Sequence, residues 1–578
     1  MQTGTPSDPS AVNRADTIVA RFIDRASSDP ERVAFTTYPM GALQALGSFK
    51  WGDWITTARA VGGALLARHA ERGERVAIFA DNRTIWPVAA MGIAMCGLVR
   101  VAIPPNGSVD DVFAQLEDCG AIFVIVDTVA RFKMLRSIVH RLSRSITIIC
   151  DDLEPLRSSV AEGMSEWDTW CRFGAQALID YPSLRDRLSE RLDNTSAEHC
   201  ASITYALGSH VGIARTYETI MADALALVDA LHLTFRDRLA IAPSFCQPFA
   251  HLLAIEATIL AGDSVALIEH PSGAFDAARH FEATVFVGDE RALAHVRDRL
   301  AVARTGDGYV RDAACEILGR YCRLATITNA VFSLEFQRDL SNANVSLATV
   351  YGSRWQTCIC INGPEHFDDG AIGKAFDDVA LRIGDHSELL VSRNAHSASG
   401  TCTRSDESDL DFTSDGLWIR TGHCVERSMS GSFRIVGEMK DMLEFITGRR
   451  LSSHAIETLL TNLPLVAHAV CQADGANSLV AVLALDRSNV EAWAFQRGLV
   501  APWEALVEHP MVYEELARGV ASVNAQRDVG ERISAFAPTE LEFSVHSGEL
   551  DESGALVRSV IESRFRHVFA ELHQHRSN

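Results

Sequence analysis

The chain has 578 residues, enough for about three or four domain-sized units. Its formal net charge of −22 leaves no basic stripe to neutralise phosphates, which argues against a nucleic-acid partner. The 13 cysteines show no metal-ligand spacing: Cys358 and Cys360 lie closest, and no second Cys or His pair answers them, a pattern of reduced thiols in a cytoplasmic protein.

Met1 to Ser10 is polar and lacks the apolar core of a signal peptide. From Asp16 to about Ala70, two helical patterns flank an extended piece, Arg32–Tyr38. Arg75–Ala80 reads as a buried strand and leads into an apolar helix from Ile85. The apolar run from Ile85 to Val99 contains Pro87, stops at Arg100 and falls short of the roughly 18 residues of a spanning helix. Arg100–Pro104 and Ala121–Val126 are further buried strands, separated by a helix over Val109–Cys119. Strands at Ser145–Cys150, Arg238–Ala242, Ser264–Ile268 and Ala283–Gly288 continue the alternation, with a helix at His251–Leu260. Buried strands alternating with helices predict doubly wound parallel sheets in two successive α/β layers, residues 16–200 and 201–350.

After Tyr351 short strands with polar turns predict a small β-barrel over 351–437. A boundary is expected at Gly437–Asp441, followed by a small α+β domain over 438–578. Between the layers, Ile203-Thr-Tyr205 runs into a loop carrying Gly208, Ser209 and Gly212, with a helical pattern from about Thr219. Strand, glycine-bearing loop and helix together present backbone N–H groups to a phosphate; many ordinary α/β turns also read this way.

The order of elements and several strings resemble one family, the AMP-forming adenylating enzymes, and within it the long-chain acyl-CoA synthetases. Ile203–Arg215 is similar to a worn copy of their phosphate loop, Tyr-Thr-Ser-Gly-Thr-Thr-Gly-x-Pro-Lys-Gly. Asn82-Arg-Thr-Ile-Trp86 resembles their Asn-Arg-x-x-Trp, and Gln247-Pro-Phe-Ala-His251 their Leu-Pro-Leu-Ala-His. Val350-Tyr-Gly-Ser-Arg-Trp355 stands where they carry Gly-Tyr-Gly-x-Thr-Glu. Asp415–His423 parallels Asp-Gly-Trp-x-x-Thr-Gly-Asp, and Phe433–Asp441 parallels x-Arg-Ile-x-Gly-Arg-x-Lys-Asp. The likeness runs in order from about residue 16 to 570. It implies a large N-terminal domain of two α/β subdomains plus a β-barrel, and a mobile C-terminal domain. It also implies coupling of a carboxylate to AMP with ATP and magnesium, then transfer to coenzyme A.

Carried over residue by residue, the chemistry of that family is eroded. In the phosphate loop Ala206 and Leu207 lack hydroxyls, Ser209 keeps one, and bulky His210 and Val211 crowd the turn. The family's lysine falls on Ala214 or, with one inserted residue, on Arg215, which keeps a positive charge. The magnesium-holding Thr-Glu pair has become Arg354 and Trp355, and neither ligates a hard cation. Tyr351 and Gly352 survive; the tyrosine either stacks on a planar ring or is a packed strand end. The ribose-binding Asp is His423, whose neutral ring offers one acceptor where two are needed. The pre-hinge Arg is Glu438, of opposite charge, while Lys440 and Asp441 remain. The C-terminal lysine is Ala555.

The expectation is an acyl-CoA-synthetase-like protein that has lost adenylation and is non-catalytic or repurposed, binding a fatty acid, an acyl-CoA or a partner protein. No catalytic residue, metal ligand or bound cofactor is expected. Phe249 and His251 are the acyl-pocket candidates; the residues alone equally allow His251 simply to begin a core helix. Two alternatives stand beside this: a working ligase whose charge comes from Arg215 and Lys440, and acyl transfer without ATP through His251 or a cysteine.

Overall fold

A computed structural model describes residues 16–39, 45–151, 164–206, 208–305, 309–363, 365, 367–394, 397–398, 400–401, 412–428, 431–445, 450–473, 479–525, 527–528, 531–544, 547–550 and 556–574. The strands of the α/β part are β1 (Val33–Tyr38), β2 (Gly47–Lys50), β3 (Arg75–Phe79), β4 (Val99–Ala102), β5 (Phe123–Val126), β6 (Thr147–Cys150), β7 (Met164–Glu166) and β8 (Cys200–Thr204). They continue with β9 (Ile213–Thr216), β10 (Arg238–Ile241), β11 (Ser264–Ile268), β12 (Val285–Val287), β13 (Leu324–Thr328), β14 (Ser346–Tyr351), β15 (Cys360–Asn362) and β16 (Lys374–Ala375).

One sheet has the order Gly400–Thr401, β9, β8, β4, β3, β5, β6, β7. From β8 to β7 neighbouring strands pair in parallel, Ala77 standing opposite Val101 on one side and Val124 on the other, while β9 and Gly400–Thr401 are antiparallel. Residues of β3 such as Val76, Ala77 and Ile78 are buried, as expected of a parallel strand covered on both faces. The second sheet has the order β16, β15, β14, β13, β12, β10, β11, β1, β2.

The layers exchange strands relative to the sequence reading. β1 pairs in parallel with β11, Phe35 opposite Val265, so a piece of the first 50 residues completes the second sheet. β8 pairs in parallel with β4, Ile203 opposite Val101, so the strand just after residue 200 belongs to the first. Apolar strands of equal length satisfy either sheet, so which sheet receives them is decided by long-range pairing.

The expected helix over His251–Leu260 is three pieces: Pro248–His251, a π-helical stretch Leu252–Ala257, and Thr258–Ala261, closed by left-handed Gly262 at φ 74°. Such π segments insert an extra residue per turn and re-aim the side chains around them.

Beyond the α/β part, Leu381–Ile383, Glu388–Ser392, Trp418–Arg427 and Phe433–Glu438 form a four-stranded sheet in that order. A further three-stranded sheet, Val466–Ala473, Leu479–Leu485 and Ile533–Thr539, packs with helices around buried Val482, Leu483 and Leu516. The chain forms two compact units: residues 1–381, 391–420 and 428–433, and residues 382–390, 421–427 and 434–578. The architecture is that of a large N-terminal domain of mixed α/β sheets and a small α+β C-terminal domain. Among the described residues no helix is long and apolar enough to cross a membrane.

Candidate functional site

The phosphate-loop stretch is a hairpin. β8 and β9 pair antiparallel, Ile203 opposite Ala214 and Thr204 opposite Ile213, so a second strand intervenes before the helix Tyr217–Ala230. Gly208 sits at φ 70°, a left-handed turn that glycine adopts without steric cost. Gly212 has no room for a side chain: a Cβ there would lie 2.7 Å from the Tyr205 ring and hydroxyl.

The hairpin loop is fastened to the helix Val109–Cys119 by three side chains. The Tyr205 hydroxyl donates to Asp118 Oδ2 at 2.5 Å, and the Gly212 N–H reaches the same oxygen at 3.3 Å. Gln115 Nε2 donates to the Ser209 carbonyl at 2.9 Å. His210 Nε2 lies 3.1 Å from Asp111 Oδ1. The Gly212 amide therefore faces a carboxylate of the protein itself, and the Ser209 hydroxyl accepts from Val211 N–H at 3.3 Å. Asp111, Gln115 and Asp118 escaped the sequence reading. Their spacing of four and three residues places them on one helical face, and that was the available signal.

Arg215 lies on β9 and is buried at 3% exposure. Its guanidinium donates to Thr204 Oγ1 at 2.7 Å and to the Arg354 carbonyl at 2.8 Å. Burial lowers its pKa, since the charged form has lost solvent. Ala214, the other position matching the family's lysine, stands beside it on β9.

Tyr351 ends β14 and is buried at 4% exposure. Gly352 N–H donates to Asn329 Oδ1 at 2.9 Å, and a Cβ at Gly352 would fall 2.2 Å from the Thr357 carbonyl. The close backbone approach is itself a sufficient reason for glycine. Trp355 is buried at 2% exposure, meets Phe412 edge to face at 4.8 Å, and accepts at its carbonyl from Ala398 N–H at 2.7 Å. An apolar ring packed on another ring thus stands at the position that the resemblance matches to a metal-holding carboxylate.

The remaining positions lie in the second unit. His423, on the strand Trp418–Arg427, is half-buried. Glu438 is exposed at the end of Phe433–Glu438, and Lys440 lies in the short turn Met439–Asp441. Leu207 and Ala555 lie outside the described residues. Arg558, at the end of the string that includes Ala555, is tied down: Nη2 reaches Glu457 Oε1 at 2.6 Å and Ser453 Oγ at 2.5 Å, Nη1 donates to the Cys471 carbonyl at 3.0 Å, and Nε stands 3.5 Å from Asp441.

Phe249 and His251 are both buried, and His251 belongs to a charged cluster not read from the sequence. Its Nε2 lies 3.2 Å from Glu256 Oε1 and its Nδ1 3.3 Å from the Phe245 carbonyl. The same Glu256 oxygen accepts from Arg100 Nη2 at 2.5 Å, and Trp86 meets the imidazole edge to face at 4.9 Å. Burial lowers the His251 pKa, opposed by Glu256. Burial also pushes the Cys246 and Cys322 thiols up to about 12 and raises Cys358 and Cys360, so none of these four is poised as a thiolate. Arg100, which marked the end of an apolar run, and Glu256, isolated inside another, were the signals for this cluster.

Comparison with known proteins agrees with this architecture. Residues 22–397 match the family model described as AMP-binding enzyme. The chain is 23% identical to the long-chain-fatty-acid–CoA ligase FadD15 of Mycobacterium tuberculosis, covering 96% of this chain and 97% of that protein. It is 20% identical to the long-chain-fatty-acid–CoA ligase ACSBG2 of Mus musculus, covering 92% and 90%. Among solved structures, a benzoate CoA ligase from Burkholderia xenovorans shares the fold with a TM-score of 0.65 at 16% identity, covering 94% of this chain and 99% of that one. With its paired α/β sheets, its hairpin loop after β8 and its small C-terminal domain, this chain belongs to the AMP-binding enzyme family as an acyl-CoA-synthetase-like member.

Proposed function

We propose that this chain keeps the acyl-CoA-synthetase fold without ATP-dependent adenylation, and serves as a non-catalytic or repurposed binder of a fatty acyl or acyl-CoA ligand. The observation that carries this reading is the Asp118 carboxylate on the Gly212 N–H and the Tyr205 hydroxyl. A loop that binds a triphosphate needs its amides free and its surroundings positive. Here one amide is taken by a fixed negative charge, and Asp111 adds a second carboxylate at His210.

The residues present do not fit ATP and magnesium. Arg215 directs its donors to internal acceptors, Trp355 offers no oxygen to a cation, and Glu438 carries the wrong sign for a nucleotide. Each loss alone could be offset by a neighbour. Together they remove metal ligation, loop charge and ribose contact from one reaction that forces negative charges together. The alternative of a rewired ligase would rest on Arg215 and Lys440, and that of acyl transfer on His251 or a cysteine. The buried contacts of Arg215 and His251 weigh against both.

The acyl class of ligand follows from the relatives, which are long-chain-fatty-acid–CoA ligases. Burying each methylene is worth about 0.8 kcal/mol and needs none of the polar groups that have been lost. Residues 438–578 are then a separate small domain after the Gly437–Asp441 hinge, retained for folding or contact with a partner protein. Exchange of labelled pyrophosphate into ATP across a panel of fatty acids tests the proposal, and no exchange above a boiled control is expected. MgATP at 100 times a true dissociation constant would add about 2.7 kcal/mol of stability, so a raised melting temperature with MgATP refutes it. Native mass spectrometry with fatty acids and acyl-CoA, on the wild type and Phe249→Ala, tests the ligand.

A further inference from the structure

At the amino-terminal ends of β3, β4 and β8 lies a cavity of about 220 Å³, lined by Arg72, Arg75, His199, Cys200 and Tyr217 over an apolar floor that includes Ile203. The hairpin loop follows the carboxyl end of β8, and the cavity floor reaches along that strand to Ile203 and its β9 partner Ala214. Ligands of open α/β sheets gather at carboxyl ends, whereas the charged lining here, Arg72, Arg75 and His199, stands at the amino-terminal ends of these strands.

Its electrostatics run against the rest of the chain. In a protein of net charge −22, Arg72 and Arg75 line one small cavity, and among the described residues neither forms a salt bridge with a carboxylate. Of the two acids adjoining these arginines in sequence, Glu71 is taken by Arg187 at 2.7 Å and Arg191 at 3.0 Å, and Glu74 accepts from the Glu71 N–H at 2.7 Å. Arg72 is held in place by neutral acceptors only: the Asn194 carbonyl at 2.8 Å, the Arg191 carbonyl at 2.9 Å and His199 Nδ1 at 3.3 Å. Its charge is positioned without being cancelled.

The fold also makes room for that guanidinium. Gly73 and Gly97 sit at φ 80° and 66°, joined by a Gly73 N–H to Gly97 carbonyl bond of 2.9 Å, and a Cβ on Gly97 would touch Arg72 Cζ at 3.4 Å. His199 Nδ1 also accepts from Ser196 N–H at 3.1 Å. The neutral ring therefore carries its proton on Nε2, a further donor at the cavity.

We propose that this cavity is a binding site for a small organic anion. Its carboxylate or phosphate group is held by Arg72, Arg75 and His199, and its apolar body rests on Val99, Ile203 and Ala214. Guanidinium groups match both head groups in charge and fork geometry. The volume lies below the roughly 300–1,000 Å³ of pockets for drug-sized ligands, so the ligand is compact and an acyl-CoA does not fit. The proposal is independent of whether adenylation is lost.

Cys200 lines the cavity and is half-buried, which provides a local reporter. The test uses the full chain with benzoate, hexanoate, phenyl phosphate and inorganic phosphate at matched ionic strength. Two quantities are read: the melting temperature, and the rate of Cys200 modification by N-ethylmaleimide measured on its own peptide. At least one organic anion is expected to raise the melting temperature and slow labelling of Cys200, with both effects weakening as salt is added. Arg75→Met, which keeps the bulk of the side chain, is expected to weaken that binding about tenfold or more through loss of a charge-assisted hydrogen bond. If no probe protects Cys200, or if chloride and inorganic phosphate act as strongly as the organic anions, the proposal is overturned. Equal binding by folded Arg75→Met overturns it too, and the wild-type labelling decides should that variant not fold.

Discussion

Asp118 is the most informative residue to perturb, because the functional reading turns on what its carboxylate does. The Tyr205 hydroxyl, on a side chain buried to 3%, reaches Asp118 Oδ2 at 2.5 Å, and the Gly212 N–H shares that oxygen at 3.3 Å. A hydrogen bond to a charged group contributes about 1.5–3 kcal/mol, against about 1 kcal/mol for a neutral one. Asp118→Asn keeps an acceptor of the same shape and removes the charge. Tyr205→Phe keeps the ring over Gly212 and removes the donor. The double-mutant cycle isolates their coupling, expected near 2 kcal/mol, read as urea midpoints at pH 7 with unchanged m-values. A coupling below about 0.5 kcal/mol would mean that the carboxylate does not hold the loop. A more damaging outcome would be a wild type that binds MgATP with Asp118→Asn binding it no better. The carboxylate would then be no obstacle to phosphate, and the argument for lost adenylation would fail at its main support.

Asp263 is fully buried, and burial raises its pKa to about 8, with nearby Asp237 adding to the effect. A raised folded-state pKa gives stability that is complete below the unfolded value of 3.8 and is lost as pH climbs through about 8. Asp263→Asn should therefore gain on wild type progressively from about pH 4 to pH 8, by about 1.6 kcal/mol at pH 5 and up to roughly 5.7 kcal/mol at pH 8.5, at 1.36 kcal/mol per pKa unit. A difference that does not change with pH refutes this. For the second unit, Arg558→Met leaves Glu457, buried at 5%, without its cation and should cost about 3–5 kcal/mol, measured by hydrogen exchange of the strand Val466–Ala473. Exchange at the wild-type rate would show the pair to be dispensable. Glu256→Gln removes the charge shared by Arg100 and His251 and should destabilise by a similar amount, with the larger loss at low pH, where the uncompensated His251 must protonate on unfolding; melting curves from pH 5 to 8 check both size and sign.

The elements themselves were legible because local pattern carries them. The continuous apolar runs at Val76–Phe79 and Val124–Val126 can only be strands covered on both faces, and the capping pattern at Ser108 fixes the start of the helix Val109–Cys119. The family strings, from Asn82–Trp86 to Phe433–Asp441, were also readable, because close backbone approach demands glycine at positions such as Gly352 whatever the ligand. Trp355, His423 and Glu438 could be matched to the family's polar positions from the resemblance alone.

What replaces those groups was decided by tertiary structure. Nothing in the order of residues places Asp118 on Gly212, 94 residues away, or sends the Arg215 guanidinium to the Arg354 carbonyl, 139 residues away. Likewise β1 joins the sheet of β11 and β8 that of β4, because apolar strands carry no mark of their partner. Composition and periodicity report which surface each element buries. The partner that satisfies a buried polar group, and so whether a charge stays available to a ligand, depends on which distant element the fold brings alongside it.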